Sequence, residues 1–105
     1  MDIEVVAMEL VGNAGESKSL AFEALREAKG GNYDRAHEML KDAKKRMLRA
    51  HEIQTDLICR EADGESIELG LLMVHAQDHL MTSILARDIC EEMIHLYKKL
   101  DEKQG

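Results

Sequence analysis

Leu71-Leu72-Met73-Val74-His75-Ala76-Gln77-Asp78-His79-Leu80-Met81-Thr82-Ser83-Ile84-Leu85 is an apolar run interrupted by two imidazoles and one carboxylate. Apolar residues recur every three or four positions, which is the period of a helix. Leu71, Val74, Met81, Leu85 and Ile89 share one stripe with Asp78, so the carboxylate stands in the middle of a core-type face. His75 and Thr82 flank it, with His79 just beyond. An acid at such a position costs free energy unless something compensates it, and that misfit marks this stretch as the place to look for function.

Helical periodicity extends outward in both directions. A third segment is expected from Ile67 to about Glu102, preceded by the break Asp63-Gly64-Glu65-Ser66, where Ser66 is a candidate N-cap. Upstream, a second segment runs from Tyr33 to Ala62. Its apolar seam is Ala36, Leu40, Ala43, Met47, Ala50, Gln54 and Leu57, with the polar Gln54 one turn after His51. A first segment runs from Asp2 to Lys29, with a seam of small residues: Ala7, Leu10, Ala14, Ser17, Ala21, Ala24 and Ala28. Gly12 and Gly15 weaken it by roughly 1 kcal/mol each relative to Ala, so a kink or break is expected near them. Gly30-Gly31-Asn32 is a stop, with glycines available for a left-handed cap.

Residues 1–105 therefore form one all-α domain, an antiparallel three-helix up-down bundle. A helix of some 36 residues would be about 54 Å long, whereas a compact chain of this length has a radius of gyration of about 13 Å. Such a rod cannot bury every apolar face. Leu72, Leu80, Ile84 and Ile94 lie off the Asp78 stripe, so self-association is expected to cover what one chain leaves open.

The net charge is −7, which argues against a nucleic-acid binder. The basic residues Lys41, Lys44, Lys45, Arg46 and Arg49 are interleaved with Glu38, Asp42 and Glu52 and read as a solvated helix face. Cys59 and Cys90 form no CxxC pair and suit a reduced compartment. No apolar run of membrane-spanning length occurs, and Met1-Asp2-Ile3-Glu4 lacks a basic leader, so a cytoplasmic protein is expected.

His75, Asp78 and His79 stand three and four residues apart, the separations that bring helix side chains together. A neutral imidazole is a competent nucleophile for phosphorus, and a neighbouring carboxylate or imidazole can orient it. His75 thus fits a phosphoryl acceptor, with His79 or Gln77 as support. The i, i+4 histidines also have the spacing of zinc proteases, but Ala76 stands where the glutamate should be and no third ligand is evident. Asp78 reads differently. If its stripe lines a rotation axis, each subunit brings the same carboxylate to one point. The charges then repel unless they are protonated or share a hard cation such as Mg²⁺, whose octahedral shell suits three-fold symmetry. Asp78 is accordingly a candidate metal ligand and oligomer-specifying charge. His51 and Gln54 read as hydrogen-bonded polar residues, and His37 and His95 as surface residues.

These residues resemble the IIA component of the lactose/cellobiose family of the bacterial phosphoenolpyruvate-dependent sugar phosphotransferase system. The resemblance spans the chain. It rests on Ser19-Leu20-Ala21 with Ala24-Leu25, on Gly31-Asn32-Tyr33, on Ala50-His51 with Gln54-Thr55, and above all on Val74 to Ser83. It implies a homotrimer, in effect a nine-helix bundle. It implies that His75 receives a phosphoryl group from the phosphocarrier HPr and passes it to a cysteine of the cognate IIB component, with the membrane IIC component met only indirectly. Gln77 and His79 would support the imidazole, and Asp78 would meet its symmetry mates on the axis around a divalent ion, Mg²⁺ being the expected one. Val74-His75-Ala76-Gln77 with Leu85-Ala86-Arg87 is nearer to diacetylchitobiose and cellobiose members than to lactose members. Two rivals remain beside this reading. One is a helical interaction module in which His75 and Asp78 are buried specificity residues; the other is a metal-storage or sensor protein using His75, Asp78 and His79.

Overall fold

The computed structural model describes residues 2–104. Three helices account for nearly all of them: α1 (Ile3–Lys29), α2 (Tyr33–Ala62) and α3 (Leu71–Gln104). Asp2 caps α1, its Oδ1 accepting the backbone N–H groups of Glu4 and Val5 at 3.0 and 3.4 Å. The first two helices end in the same way. Asn32 N–H donates to the Glu27 carbonyl and Gly31 N–H to that of Ala28. Glu65 N–H donates to Arg60 and Gly64 N–H to Glu61. This pattern needs a left-handed residue just past the helix, and Gly31 (φ 85°) and Gly64 (φ 97°) supply it. Of the two glycines in the first break, Gly31 is the left-handed one.

Two expected boundaries need correction. α3 begins at Leu71, not Ile67, and Ser66 is not its N-cap. Residues 65–70 are irregular, and Ile67 packs against the core from that connection instead of opening a helix. Gly12 and Gly15 do not break α1, which is helical through both.

α1 is the central element. It packs along both partners, while α2 and α3 touch each other far less. The small-residue seam makes this possible: Ala7, Leu10, Ala14, Ser17, Ala21, Ala24 and Ala28 are all buried. Alanines let neighbouring backbones come close, and Ser17 Oγ donates to the Ala43 carbonyl across the α1–α2 interface at 2.6 Å. Around this waist the core forms two clusters. One joins Leu10, Ile53, Leu57, Met73 and Leu80; the other joins Leu25, Leu40, Cys90 and Ile94. Interhelical ion pairs, Arg46–Glu16 at 3.3 Å and Arg49–Glu9 at 3.6 Å, occupy the basic run and confirm it as a solvated face. Exposed pairs of this kind contribute about 0–1 kcal/mol each.

The bundle is a rod, 58 × 20 × 19 Å, with a radius of gyration of 16.6 Å. The face that α3 turns inward is not the one centred on Asp78. The buried residues are Met73, Ala76, Leu80, Ser83, Arg87, Cys90 and Ile94. Leu71, Val74, Asp78, Met81, Leu85 and Ile89 lie exposed on the single chain. The reason is that α3 is apolar around most of its circumference, so periodicity alone does not choose the inner face. Ala76 and Ser83 do choose it, being small enough to sit against the tightly packed α1. Among the described residues no helix is long and apolar enough to cross a membrane.

Candidate functional site

α3 carries His75 and His79 one turn apart near its beginning, beside the core cluster of Leu10, Met73 and Leu80. Buried Ala76 and Leu80 hold the helix register, and this leaves His75 exposed and His79 half-buried. The two rings stack, with centroids 5.6 Å apart and planes 23° from parallel. His75 thus has an imidazole for a partner, not the Asp78 carboxylate. The turn beneath is tied down from the following residues: Ser83 Oγ and Thr82 Oγ1 both donate to the His79 carbonyl, at 2.7 and 3.1 Å. Such back-bonding hydroxyls load one carbonyl and favour a local bend.

Gln77 was expected to support His75, and within one chain it does not. It points to the opposite side of α3, where its Oε1 accepts from Gln54 Nε2 at 2.7 Å and its Nε2 lies 3.5 Å from Met73 Sδ. Two residues along a helix are some 200° apart, which is the cause. The pair Gln54–Gln77 instead bridges α2 and α3, and Gln77 borders a groove with Leu57, Ile58, Ile67 and Leu69. Gln54 is therefore a hydrogen-bonded polar residue, as its seam position suggested. His51 is exposed. His37 and His95 meet across α2 and α3, ring centroids 6.4 Å apart, at the other end of the rod. Periodicity within single helices carried no sign of that pair.

No charged residue stands between Glu68 and Asp78, and the first turn of α3 holds no acid. In a chain of net charge −7, this stretch adds no acid of its own beside His75. His75 lies only one turn inside the helix, and side chains lean toward the N-terminus, the positive end of the helix dipole.

The divalent ion implied for Asp78 has a limited basis in one chain. Among the described residues no three of His, Cys, Asp or Glu come together as a metal site. A single subunit offers one exposed carboxylate, a hard oxygen donor, in the middle of an apolar face. That donor fits a hard cation only if copies of the chain bring more of them together.

The structure defines a class of three-helix bundle that presents an exposed imidazole, stacked on a second, beside a helix start free of charged side chains. The comparisons specify the class. The profile of the "PTS system, Lactose/Cellobiose specific IIA subunit" matches residues 5–98. The lactose-specific EIIA component of Streptococcus mutans is 43% identical over 95 residues, covering 90% of this chain and 91% of that protein. The crystal structure of the cellobiose-specific enzyme IIA from Bacillus anthracis superimposes with a TM-score of 0.95 at 43% identity, over 98% of this chain and 94% of that one. The solution structure of the Escherichia coli IIA(chitobiose)–HPr complex matches with a TM-score of 0.82 at 39% identity, over 96% of this chain and 98% of that one. The chain belongs to the lactose/cellobiose-specific IIA family and is a phosphotransferase component of a sugar phosphotransferase system.

Proposed function

We propose that His75 is the phosphoryl carrier of this IIA component, taking the group from phospho-HPr and giving it to a cysteine of a cognate IIB component in the cytoplasm. The observation that carries this reading is the exposed His75 ring stacked on His79, at the charge-free start of α3. That a relative forms a complex with HPr supports the donor.

The transfer balances simply. A ring nitrogen of neutral His75 attacks phosphorus in line, the new N–P bond forms, and the N–P bond to the HPr histidine breaks. The proton that His75 gives up from its other nitrogen matches the one the HPr imidazole regains, with solvent between them. In the second step a cysteine thiolate of IIB forms the S–P bond, the His75 N–P bond breaks, and His75 recovers a proton. Donor and acceptor of the first step are both phosphohistidines, so little driving force is needed and the protein's part is positioning.

The exposed α3 stripe supports a trimer. Leu71, Val74, Met81, Leu85 and Ile89 form an exposed apolar stripe, interrupted by Asp78, of the kind that self-association covers. In a three-fold arrangement about that stripe, three Asp78 carboxylates would face one another, and a divalent ion, Mg²⁺ by preference, would be held between them. Its contribution would be to neutralise like charges, outside the phosphoryl path. The sugar is proposed to be a β-linked disaccharide of the cellobiose or diacetylchitobiose type, on the form of the Val74–Gln77 segment.

The test is phosphoryl transfer from phosphoenolpyruvate through enzyme I and HPr, read by intact mass at neutral or alkaline pH because phosphohistidine is acid-labile. One phosphoryl group per chain, absent in His75→Ala with the fold intact, is the expected result. Full labelling of His75→Ala would overturn the assignment.

A further inference from the structure

α1 carries two interior glycines, and each costs about 0.5–1 kcal/mol relative to Ala in a helix. They differ in what surrounds them. A Cβ built on Gly12 would meet nothing within 4 Å. A Cβ on Gly15 would lie 3.1 Å from His79 Nε2 and 3.7 Å from His79 Cδ2, with no other atom as near. The edge of the His79 ring therefore rests on the bare backbone of α1. From its other side His79 stacks on His75, and its carbonyl is held by Thr82 and Ser83. The chain of contacts runs from α1 backbone to His79 ring to His75 ring.

We propose that Gly15 is a positioning residue for the phosphoryl-accepting histidine: it provides the seat that holds His79 in the orientation on which His75 stacks. Resting on the reading of His75 given above, this extends the site to a second helix through a residue that has no side chain. The arrangement gives a use to a helix-weakening residue that stands one position past Ala14 of the buried seam. It also accounts for His79's role without a hydrogen bond to His75. A buttressed ring leaves the exposed imidazole fewer orientations, so less freedom is lost when phosphorus is met in line. An added methyl group at Gly15 must push the His79 ring aside by a few tenths of an ångström, and the stack with it.

The deciding experiment compares Gly12→Ala, Gly15→Ala, His79→Ala and the double variant Gly15→Ala/His79→Ala in the full chain. Thermal stability, the rate of phosphoryl gain from phospho-HPr, and the imidazole resonances of His75 across a pH titration are measured for each. Gly12→Ala should stabilise α1 and leave rate and resonances as they are. Gly15→Ala should shift the His75 resonances and slow transfer about three- to tenfold, less than the roughly hundredfold of a full 1 Å misplacement. In the His79→Ala background the Gly15 substitution should do nothing further to the His75 resonances. If Gly15→Ala behaves like Gly12→Ala, or acts equally without His79, the seat is not what positions His75. If the unaltered chain gains no phosphoryl group from phosphorylated HPr, the carrier role of His75 fails and with it the proposed purpose of the seat. The resonance cycle separates that failure from one of the Gly15–His79 contact itself.

Discussion

The two faces of α3 are built from much the same residue types and do opposite things. On the inner face Met73, Ala76, Leu80 and Ile94 are almost wholly buried within one chain; on the outer face Leu71 is 86% exposed, Val74 53% and Leu85 60%. The inner face alternates large and small residues and meets the alanine seam of α1. The outer face is uniformly bulky and carries one carboxylate. Hydrophobicity favours covering a face; side-chain size decides whether the same chain can do so.

The sharpest way to break this comparison is an equivalent insult to each face. Leu80→Ala empties a fully buried site and should cost about 2–5 kcal/mol of stability, seen in denaturant unfolding. A cost below 1 kcal/mol would mean that α3 is docked differently. Leu85→Lys on the outer face should leave each subunit folded but dissociate the assembly to single chains in analytical ultracentrifugation. Retention of a larger species would move the association surface elsewhere. Asp78→Leu sharpens the comparison by making the outer face wholly apolar. It should strengthen association by on the order of 2 kcal/mol per subunit in the presence of chelator, as repulsion gives way to burial. Dissociation would show that the carboxylates do not face one another. The smallest effect concerns the two thiols. Burial pushes the Cys90 thiol pKa up, while Cys59 is exposed. At pH 8 one thiol per chain should react promptly with a disulfide reagent, and Cys90 only on unfolding. Two fast thiols would show that the core cluster of Leu25, Leu40, Cys90 and Ile94 opens readily.

Much of this architecture was legible in the residues. The α1 seam was readable because small residues at helical spacing have one use, close approach, and all seven are buried. The α2 boundaries were readable because glycine marks both neighbouring breaks. The inner face of α3 was not, because a helix apolar all round gives several stripes of equal merit, and only the fit of Ala76 and Ser83 against α1 separates them. Arg87 is the clearest surprise. It is buried on that inner face, with Nη2 3.5 Å from the Leu40 carbonyl and 3.4 Å from Glu91, and with Nε left without a partner. A buried guanidinium depends on acceptors from another helix and from its own next turn, which one-dimensional patterning does not show. At the candidate site, the spacing of His75 and His79 was enough to anticipate that their rings would meet. Gln77 lies on another side of α3 from His75 in the same chain, because adjacency in a motif is not adjacency on a helix. Gly15 was noticed only as a weakness, since its use depends on a ring sixty-four positions away.

The single-helix span between His75 and Gln104 has a consequence for anyone tethering partners to this chain. Twenty-nine residues of continuous helix place Gln104 about 44 Å from His75. An acceptor domain joined there would need a linker of roughly 13 extended residues merely to fold back to the site. Ile3 and Glu4, by contrast, border the same groove as Leu71 and Leu72. A fusion made just before Ile3 starts beside the first turn of α3, and one made just after Gln104 starts a rod's length away.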